Sequence, residues 1–187
     1  IYYFSKMEGK SKLKLLFFYF ITRLSLLFAD YYIVSSNADK ERLLINHGSR
    51  FNAKIIVNSN WVDYLESIKP FSDRSKTFIT VGRLEGQKNY INLLENFSKT
   101  NIPLDIFGEG TKENILRKII DEKKIPITLM GSIENKKLIT KYQEYKYFIL
   151  NSHYEGNPKV LLEAMSSGCV VFIRYNKNIE EIIKNQK

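Results

Sequence analysis

From residue 77 onward, short apolar runs alternate with segments that are apolar on one side only. Runs of apolar, β-branched or aromatic residues predict buried strands, and apolar residues three and four positions apart predict amphipathic helices. Strands are predicted at 78–81, 104–107, 127–130, 147–150 and 170–173. Helices are predicted at 90–97, 112–123, 135–143, 158–167 and 179–184. This alternation is typical of βαβ crossovers, so it predicts an α/β fold with a Rossmann-like parallel sheet.

A shorter pattern of the same kind precedes this region. Two helices are predicted at 13–29 and 39–46, and two strands at 30–36 and 54–57. Turn residues, Trp61 and Pro70 then break the periodicity. We therefore expect 1–58 to be the C-terminal part of a preceding Rossmann-like domain, 59–75 to be an interdomain linker, and 76–187 to be a second domain, truncated at its C-terminal end.

The composition indicates a globular, basic protein. The 187 residues carry a formal net charge of +9, 44% of them are hydrophobic, and no low-complexity tract interrupts them. The charge fits a solvated lysine-rich surface, and it also fits affinity for phosphates, for an anionic membrane surface or for nucleic acid. Because the lysines are dispersed and no aromatic–basic alternation forms a stacking platform, no nucleic-acid partner is expected.

The predicted helix at 13–29 has two interpretations. Its uninterrupted apolar run, 15–21, is far shorter than the roughly 20 residues needed to span a bilayer. The helix fits a core position with lysines at its solvated start. It also fits a basic amphipathic element lying on an anionic membrane, because Lys12 and Lys14 precede that run. The sequence leaves both open.

Two glutamates with seven residues between them are the most informative feature. Glu155 lies in a Gly-containing loop after a predicted strand, and Glu163 lies inside the following predicted helix. Asn157 is expected to cap that helix, and Pro158 suits its first position. Glu155 should therefore stand at the carboxyl end of a strand beside a helix N-terminus, where open α/β sheets bind ligands that carry phosphate.

A second candidate site follows the strand at 78–81. Gly82 begins a loop in which Arg83 and Lys88 lie five residues apart before a helix. A guanidinium, an ammonium and a helix N-terminus together suit a diphosphate. The glycine-containing turns at 108–110 and 131–133 follow the next two strands, so we expect them at the same sheet edge.

No cofactor or metal is expected. Cys169 is the single cysteine, so neither an internal disulfide nor a Cys-based metal site can form; we expect it in the core, consistent with a reducing compartment. His47 and His153 have no partner at metal-ligand spacing; His47 should end a helix, and His153 is either structural or lines a pocket. The chain lacks an Asp-x-Asp pair, a phosphate-binding P-loop and a complete dinucleotide fingerprint, so a nicotinamide cofactor is poorly supported.

Together these motifs resemble the retaining glycosyltransferases of family 4, or glycosyl transferases group 1, whose GT-B fold has two Rossmann-like domains. The ordered set of motifs carries the resemblance, and the paired glutamates are its most specific part. The matching segments are 29–36, 81–84, 88–89, 108–110, 131–133, 138, 152–158 and 162–168. The resemblance implies that 76–187 binds a nucleoside-diphosphate sugar, with UDP as the expected nucleotide, and needs no further cofactor.

The resemblance also implies catalytic roles. Arg83 and Lys88 would hold the diphosphate and stabilise its charge as it leaves, which is electrostatic stabilisation of the transition state. Glu155, with the backbone N–H groups of Gly156 and Asn157, would contact the donor sugar. The metal site is expected to be absent, with these cations and a helix dipole in its place.

Further roles concern the nucleoside. Glu163 would accept hydrogen bonds from the ribose hydroxyls, and Gly131, Ser132 and Ile133 would meet the base largely through their backbone. The two glutamates are thus interpreted as ligands of a nucleotide sugar and not as an acid–base pair.

The implied activity is sugar transfer, with retention of configuration, to a glycan or lipid-linked acceptor. The expected setting is bacterial surface-polysaccharide or glycolipid synthesis in the cytoplasm, with possible peripheral contact to the inner face of the membrane. The family's catalytic unit is about twice as long, and Val170 stands where many relatives have proline. We therefore expect most of the acceptor domain and the final helices to be missing, and the fragment to be inactive alone.

Two alternatives stay open. The positive charge also suits a non-catalytic nucleotide- or polyanion-binding module. A hydrolase or epimerase acting on a related sugar nucleotide would release product without any acceptor.

Overall fold

A computed structural model describes residues 11–63, 65–175 and 177–184. Seven helices are seen in these residues: α1 Lys12–Phe28, α2 Asn37–His47, α3 Tyr90–Phe97, α4 Glu113–Lys123, α5 Asn135–Tyr142, α6 Lys159–Ser166 and α7 Lys177–Lys184. Seven strands accompany them: β1 Tyr32–Val34, β2 Ile55–Val57, β3 Ser75–Val81, β4 Leu104–Phe107, β5 Ile127–Gly131, β6 Tyr145–Leu150 and β7 Val170–Ile173. Short 3₁₀ turns occur at Ser49–Lys54, Phe71–Asp73 and Gly86–Lys88.

The described residues fall into two compact units. The first comprises the chain up to Asn60, the segment Tyr154–Pro158 and the chain from Tyr175 onward. The second comprises Trp61–His153 and Lys159–Arg174. The compact units group residues 61–75 with the second unit and divide the region after 153 between both units. This division does not test the predicted domain boundaries at 58 and 75, which stay a prediction.

The second unit is built on a five-stranded parallel sheet. Its strand order is β5-β4-β3-β6-β7, and each neighbouring pair is parallel. The chain moves outward from β3 to β4 and β5, and then returns to β6 on the other side of β3. The strand order therefore reverses at β3, and a crevice at the carboxyl ends of β3 and β6 is where such a sheet binds ligands.

One core cluster fixes α3 and α4 on this sheet. Leu94 of α3, Leu116 of α4 and Ile106 of β4 are all fully buried in it. Burying an aliphatic side chain of this size contributes roughly 1.5–3 kcal/mol. The apolar residues that predicted these helices are therefore the residues that hold them against the strands.

The α5 and α6 helices contact one another beside β6 and β7. The Tyr142 and Phe148 rings meet edge to face, with centroids 5.8 Å apart. Cys169 is buried, and its Sγ lies 3.3 Å from the carbonyl oxygen of Tyr142. Cys169 is therefore a core residue, as predicted, and its burial raises the pKa of the thiol to about 11.

The predicted elements of the second unit are confirmed, with small shifts at their ends. Helix α3 has the predicted bounds, and α6 begins one residue later than predicted, at Lys159. The expected cap of α6 is not formed, because Asn157 Oδ1 accepts from no residue that the structure describes, and the side chain instead donates from Nδ2 to the backbone oxygen of Ser35 over 3.1 Å. A side chain that can donate as well as accept had a longer-range partner, which local capping rules do not reveal.

The first unit contains a two-stranded parallel sheet of β1 and β2. Leu26, Phe51 and Ile55 form its buried cluster. His47, at the end of α2, is buried and stacks on Tyr19 at 4.6 Å, so its predicted structural role agrees with its surroundings. Burial and then nearby Arg23 lower the pKa of His47.

Helix α1 presents an apolar face. Its exposed large apolar side chains are Leu13, Leu16, Phe17, Phe20, Ile21, Leu24, Leu27 and Phe28. The helix contains no acidic residue, and Lys12 and Lys14 lie in its first turn. Within the described ranges, no helix is long and apolar enough to cross a membrane.

A buried arginine ties the second unit together outside its sheet. Arg74 is 5% exposed, and its guanidinium donates to the carbonyl oxygen of Ser167, at the end of α6, over 2.7 Å. It also donates from Nε to the carbonyl oxygen of Lys69 over 2.9 Å. The planar five-donor group satisfies two separate carbonyls at once, which an ammonium cannot reproduce in the same geometry.

Replacing Arg74 by lysine should lower the unfolding free energy of the second unit by about 2 kcal/mol, because charge-assisted hydrogen bonds to buried carbonyls are lost. Urea unfolding followed by circular dichroism measures the change. The matched control is Arg117→Lys, whose guanidinium is half exposed beside Glu113 and should matter little. Equal stability of the two variants would contradict the assigned role.

Candidate functional site

The loops that follow β3, β4 and β5 are hydrogen-bonded side by side. Leu84 N donates to the carbonyl oxygen of Glu109 over 2.9 Å, and Gly108 N donates to that of Gly131 over 2.8 Å. The three glycine-containing turns that the sequence placed at one sheet edge therefore meet there. Their backbones form a continuous rim at the carboxyl ends of these strands.

Two carboxylates reinforce this rim. Glu85 accepts from Thr111 N at 3.1 Å and from Thr111 Oγ1 at 2.8 Å, and these bonds lower the pKa of Glu85. Glu109 accepts from Ser132 Oγ at 2.7 Å and from Ser132 N at 3.3 Å. Sequence reasoning missed both tethers, because each glutamate pairs with a residue more than twenty positions away.

Glycine is required where the first two loops touch. A Cβ on Gly108 would overlap the carbonyl oxygen of Gly82, and one on Gly110 would lie 2.7 Å from Leu84 N. Those neighbours are backbone atoms, so they cannot turn aside as a side chain would. Gly86 has open space around its Cβ position and carries no such constraint.

Arg83 and Lys88 lie on the first of these loops. Arg83 is exposed, and Lys88 is half-buried at the end of the turn Gly86–Lys88. The Lys88 stem runs beside Gly82, since its Cε would lie 3.0 Å from a Cβ built there. Both cations thus follow β3 at the point where the strand order reverses. That they bind an anion stays a prediction.

Glu163 is a buried carboxylate inside α6. It is 2% exposed, and its Oε1 lies 3.7 Å from Lys159 Nζ. Its Oε2 accepts no hydrogen bond from any residue that the structure describes. Burial raises the pKa of Glu163, and Lys159 partly opposes that shift. A buried acceptor left unsatisfied is costly for the folded state, and it is suited to receive the hydroxyl groups of a ligand.

The turn after β5 contains the residues predicted to meet a base. Gly131 has a φ of 73°, a left-handed conformation that favours glycine. Apart from Gly131 itself and its two chain neighbours, no described residue has a heavy atom within 4 Å of its Cβ position. Ser132 is engaged by Glu109, as described above, and Ile133 is half-buried. Whether this turn meets a base stays a prediction.

In the first unit, the loop 154–158 holds the other predicted ligands. Glu155 is buried, at 8% exposure. Gly156 approaches Ser35 closely, because an added Cβ would lie 3.0 Å from Ser35 Oγ. The side-chain oxygen Oδ1 of Asn157 is buried and accepts from no described residue. These contacts fix the loop on the end of β1, and its role toward a sugar stays a prediction.

A cavity of about 660 Å³ opens in the second unit beside α3 and the carboxyl ends of β6 and β7. Asn151 Nδ2 donates to the Asn89 carbonyl oxygen over 3.3 Å, and Arg174 Nη1 lies 3.3 Å from His153 Nδ1. Partial burial and Arg174 lower the pKa of His153. The lining residues are Asn89, Asn92, Ile149, Leu150, Asn151, His153, Phe172, Ile173 and Arg174.

Of these residues, the sequence led to a pocket-lining interpretation for His153 alone, as one of its two interpretations. Asn151 and Arg174 were missed, although each is the first polar residue after a predicted strand. That position is the signal that could have found them. Within the described ranges, no group of histidine, cysteine, aspartate and glutamate could hold a metal ion.

The family described as glycosyl transferases group 1 matches residues 62–187, more than half of the chain. The chain belongs to this family. The resemblance to the glycosyl transferases group 1 is therefore confirmed, and the retaining, family 4 assignment stays a prediction.

Several curated proteins are similar to this group 1 chain. Lipopolysaccharide 1,6-galactosyltransferase of Salmonella typhimurium is 28% identical over 149 residues, which are 75% of this chain and 42% of the relative. The Campylobacter jejuni N-acetylgalactosamine-N,N'-diacetylbacillosaminyl-diphospho-undecaprenol 4-alpha-N-acetylgalactosaminyltransferase is 27% identical over 158 residues. These cover 80% of this chain and 42% of that relative. The chain thus spans about two fifths of the length of these relatives.

Solved structures agree on the fold. The pneumococcal O-GlcNAc transferase GtfA in complex with UDP and GlcNAc is similar with a TM-score of 0.65 and 25% identity, over 78% of this chain and 30% of that one. The apo lipopolysaccharide outer core galactosyltransferase WaaB is similar with a TM-score of 0.63 and 27% identity, over 79% of this chain and 43% of that one. The predicted fold class, a Rossmann-like parallel sheet of a GT-B glycosyltransferase, is confirmed.

Replacing Glu163 by glutamine should stabilise the ligand-free group 1 chain at neutral and alkaline pH. The pKa of Glu163 is raised in the folded state, so the wild type is most favoured below the ordinary value of 4.5 and loses stability as the pH rises through the raised pKa. Glutamine carries no charge to bury, so its advantage should grow with pH and vanish under acid conditions.

Melting temperatures measured from pH 4 to 9 test whether the stability advantage of Glu163→Gln over the wild type grows with pH. The control is Glu122→Gln, whose carboxylate is exposed beside Lys118, and its melting curve should follow that of the wild type. A variant at Glu163 that melts below the wild type at pH 8 would show that the buried charge is compensated.

Proposed function

We propose that the chain is the donor-binding part of a glycosyltransferase that moves a sugar from a nucleoside-diphosphate sugar to a glycan or lipid-linked acceptor, with retention of configuration. Membership of the glycosyl transferases group 1 supports the transferase class. The observation that carries the donor assignment is Glu163, a buried carboxylate with an unsatisfied oxygen in the unit that also bears Arg83 and Lys88.

The diphosphate is assigned to Arg83 and Lys88. An exposed guanidinium can make paired bonds to phosphate oxygens, and an ammonium adds a point charge beside them. As the sugar leaves, negative charge grows on the diphosphate, so fixed cations there stabilise the transition state more than the ground state. Gly82 supports this arrangement, since the Lys88 stem passes where its side chain would be.

The nucleoside is assigned to Glu163 and to Gly131–Ile133. The unsatisfied oxygen of Glu163 would accept from ribose hydroxyls, and the open space at Gly131 would admit a flat base against the backbone. UDP is the proposed nucleotide, supported by the UDP complex of the similar pneumococcal transferase. No metal is assigned, because the two cations would balance the charge of the diphosphate.

The donor sugar is assigned to the loop of Glu155, Gly156 and Asn157. Glu155 is buried, and the free side-chain oxygen of Asn157 is an acceptor that a sugar hydroxyl could satisfy. Glu155 would act as a ligand and not as a general acid. Its role, like those of Arg83 and Lys88, is proposed from the family resemblance together with these surroundings.

The acceptor and the site of action are proposed from the relatives. One relative's name places its acceptor on diphospho-undecaprenol, a lipid carrier, and another acts on lipopolysaccharide. For this chain we propose work in the cytoplasm, with α1 in contact with the inner face of the membrane. Since the chain spans about two fifths of these relatives, we propose that its 187 residues alone turn over little or no donor.

Titration with UDP tests the nucleotide assignment. Glu163→Gln and Arg83→Gln should each weaken UDP binding roughly 10- to 100-fold, because each removes the charge that strengthens the hydrogen bonds to UDP. Calorimetry on the full chain measures the affinities. The control is Arg117→Gln, which removes a cation of the same unit from the exposed face of α4 and should leave UDP binding unchanged.

The same variants separate the transferase from a polyanion-binding module. For such a module, Glu163→Gln would strengthen binding to duplex DNA or heparin, Arg83→Gln and Arg117→Gln would weaken it alike, and affinity would fall steeply with salt. Binding that follows this pattern, with no response to UDP, would overturn the proposed function.

Membrane contact should depend on the apolar face of α1. The chain should sediment with vesicles that contain anionic phosphatidylglycerol, and the double variant Leu16→Glu with Phe20→Glu should stay in the supernatant. Ile115→Glu places a charge on another exposed apolar residue, on α4, and should still sediment. Equal sedimentation of all three forms would contradict a membrane role for α1.

A further inference from the structure

Asn178, in α7, is buried against the turn between β1 and α2. It is 1% exposed. Its Nδ2 donates to Ser36 Oγ over 2.8 Å and to Asp39 Oδ1 over 3.2 Å, and its Oδ1 accepts from Arg42 Nη2. The amide nitrogen therefore donates and the amide oxygen accepts, a combination that an asparagine satisfies at this position and an aspartate would not.

Glu181, one turn further along α7, caps α2 from a distance. Its carboxylate accepts from the backbone N of Asn37 at 3.0 Å and of Ala38 at 3.3 Å, and from Asn37 Nδ2 at 2.6 Å. These backbone groups have no partner within their own helix, and an anion is favourable there. The local cap Ser36 accepts from Asp39 N. The start of α2 is thus held from both sides.

The same turn supports the loop that contains Glu155. Asn157 Nδ2 donates to the Ser35 carbonyl oxygen over 3.1 Å, and Gly156 lies against Ser35 Oγ. Ser35 Oγ in turn donates to Asp39 Oδ2 over 3.2 Å. Asp39 therefore contacts Ser35 through one carboxylate oxygen and Asn178 through the other, and a continuous set of contacts joins α7 to this loop.

We propose that Asn178 and Glu181 are positioning residues for the Glu155–Asn157 loop. They fix Asp39 and the first turn of α2, and Asp39 fixes Ser35, on which Gly156 and Asn157 rest. The link to a donor sugar depends on the proposed function, whereas the positioning itself does not. Neither residue contacts the sugar in this assignment; each acts through the turn.

The charges of Asp39 and Arg42 beside the neutral amide of Asn178 determine which substitutions should loosen this turn and which should restore it. Arg42 is a cation of this cluster, and it donates from Nη1 to Asp39 Oδ1 over 2.7 Å. Asn178→Asp places a second carboxylate against Asp39 and removes the donated hydrogen bonds, so the turn should loosen. Combining it with Asp39→Asn restores one carboxylate and one amide, so the double variant should recover.

Hydrogen exchange of the full chain, read by mass spectrometry, tests the positioning without any ligand. In Asn178→Asp, amides at 154–157 and at the start of α2 should exchange at least about tenfold faster, while those of β3 and β4 stay unchanged. Glu181→Gln should have a smaller effect in the same direction. The double variant should return toward the wild type.

The matched control is Glu180→Gln, which alters the neighbouring carboxylate of α7, an acceptor of a hydrogen bond from the Tyr175 hydroxyl. It should leave exchange at 154–157 unchanged. The proposal is overturned if Asn178→Asp leaves the loop protected, if every segment of the chain exchanges faster alike, or if Glu180→Gln has the same effect.

A second measurement tests the link to the sugar. UDP-galactose is the donor probe, chosen because a similar protein is a galactosyltransferase. The ratio of affinities for UDP-galactose and UDP should fall in Asn178→Asp, while the affinity for UDP itself should not, since a sugar contact is lost and a nucleoside contact is not. A faster-exchanging loop with an unchanged ratio would support the positioning and overturn the sugar contact in the proposed function. Equal loss of both affinities would overturn the specific role of Asn178.

Discussion

The parallel pairing of β3 with β4 on one side and β6 on the other is the constraint on which the second unit depends. Because β3 is central, its carboxyl end is flanked by loops that come from both directions of the chain. The loop bearing Arg83 then packs backbone to backbone with the loop at Gly108, and no side chain can be added there without displacing it. The backbone positions of Arg83 and Lys88 are thus determined by the strand order and by the glycines that let the two loops pack together.

A buried carboxylate without a full set of partners illustrates how binding and stability oppose one another in this fold. Glu163 lies in a helix whose other inward residues, such as Leu161 and Ala164, are apolar and fully buried. An apolar residue would serve the core better at this position. A ligand that completes the hydrogen bonding of Glu163 would offset this cost, because the free energy lost by the ligand-free fold is then recovered on binding.

The sequence predicted the second unit well because its signals are local. Apolar periodicity located α3 within its actual bounds, and glycines located the loops. Asn157 shows where such reasoning ends: its capping role followed from the residue type, but its amide bonds to Ser35, more than a hundred residues away. The long-range contacts of Asn178, Glu181 and Glu109 were missed for the same reason. The type of a polar residue in a helix or a loop does not indicate a hydrogen-bond partner that is distant in sequence. The site roles themselves follow from resemblance, not from periodicity.

The single cysteine offers a practical consequence. Cys169 is buried, its thiol lies against backbone carbonyls, and its raised pKa leaves almost no thiolate at neutral pH. Maleimide and iodoacetamide reagents attack the thiolate, so the native protein offers them a poor target. A cysteine introduced on the surface could therefore carry a fluorophore or spin label at one chosen position without first replacing the natural one. Distance measurements in solution become accessible with a single added mutation at each probe site.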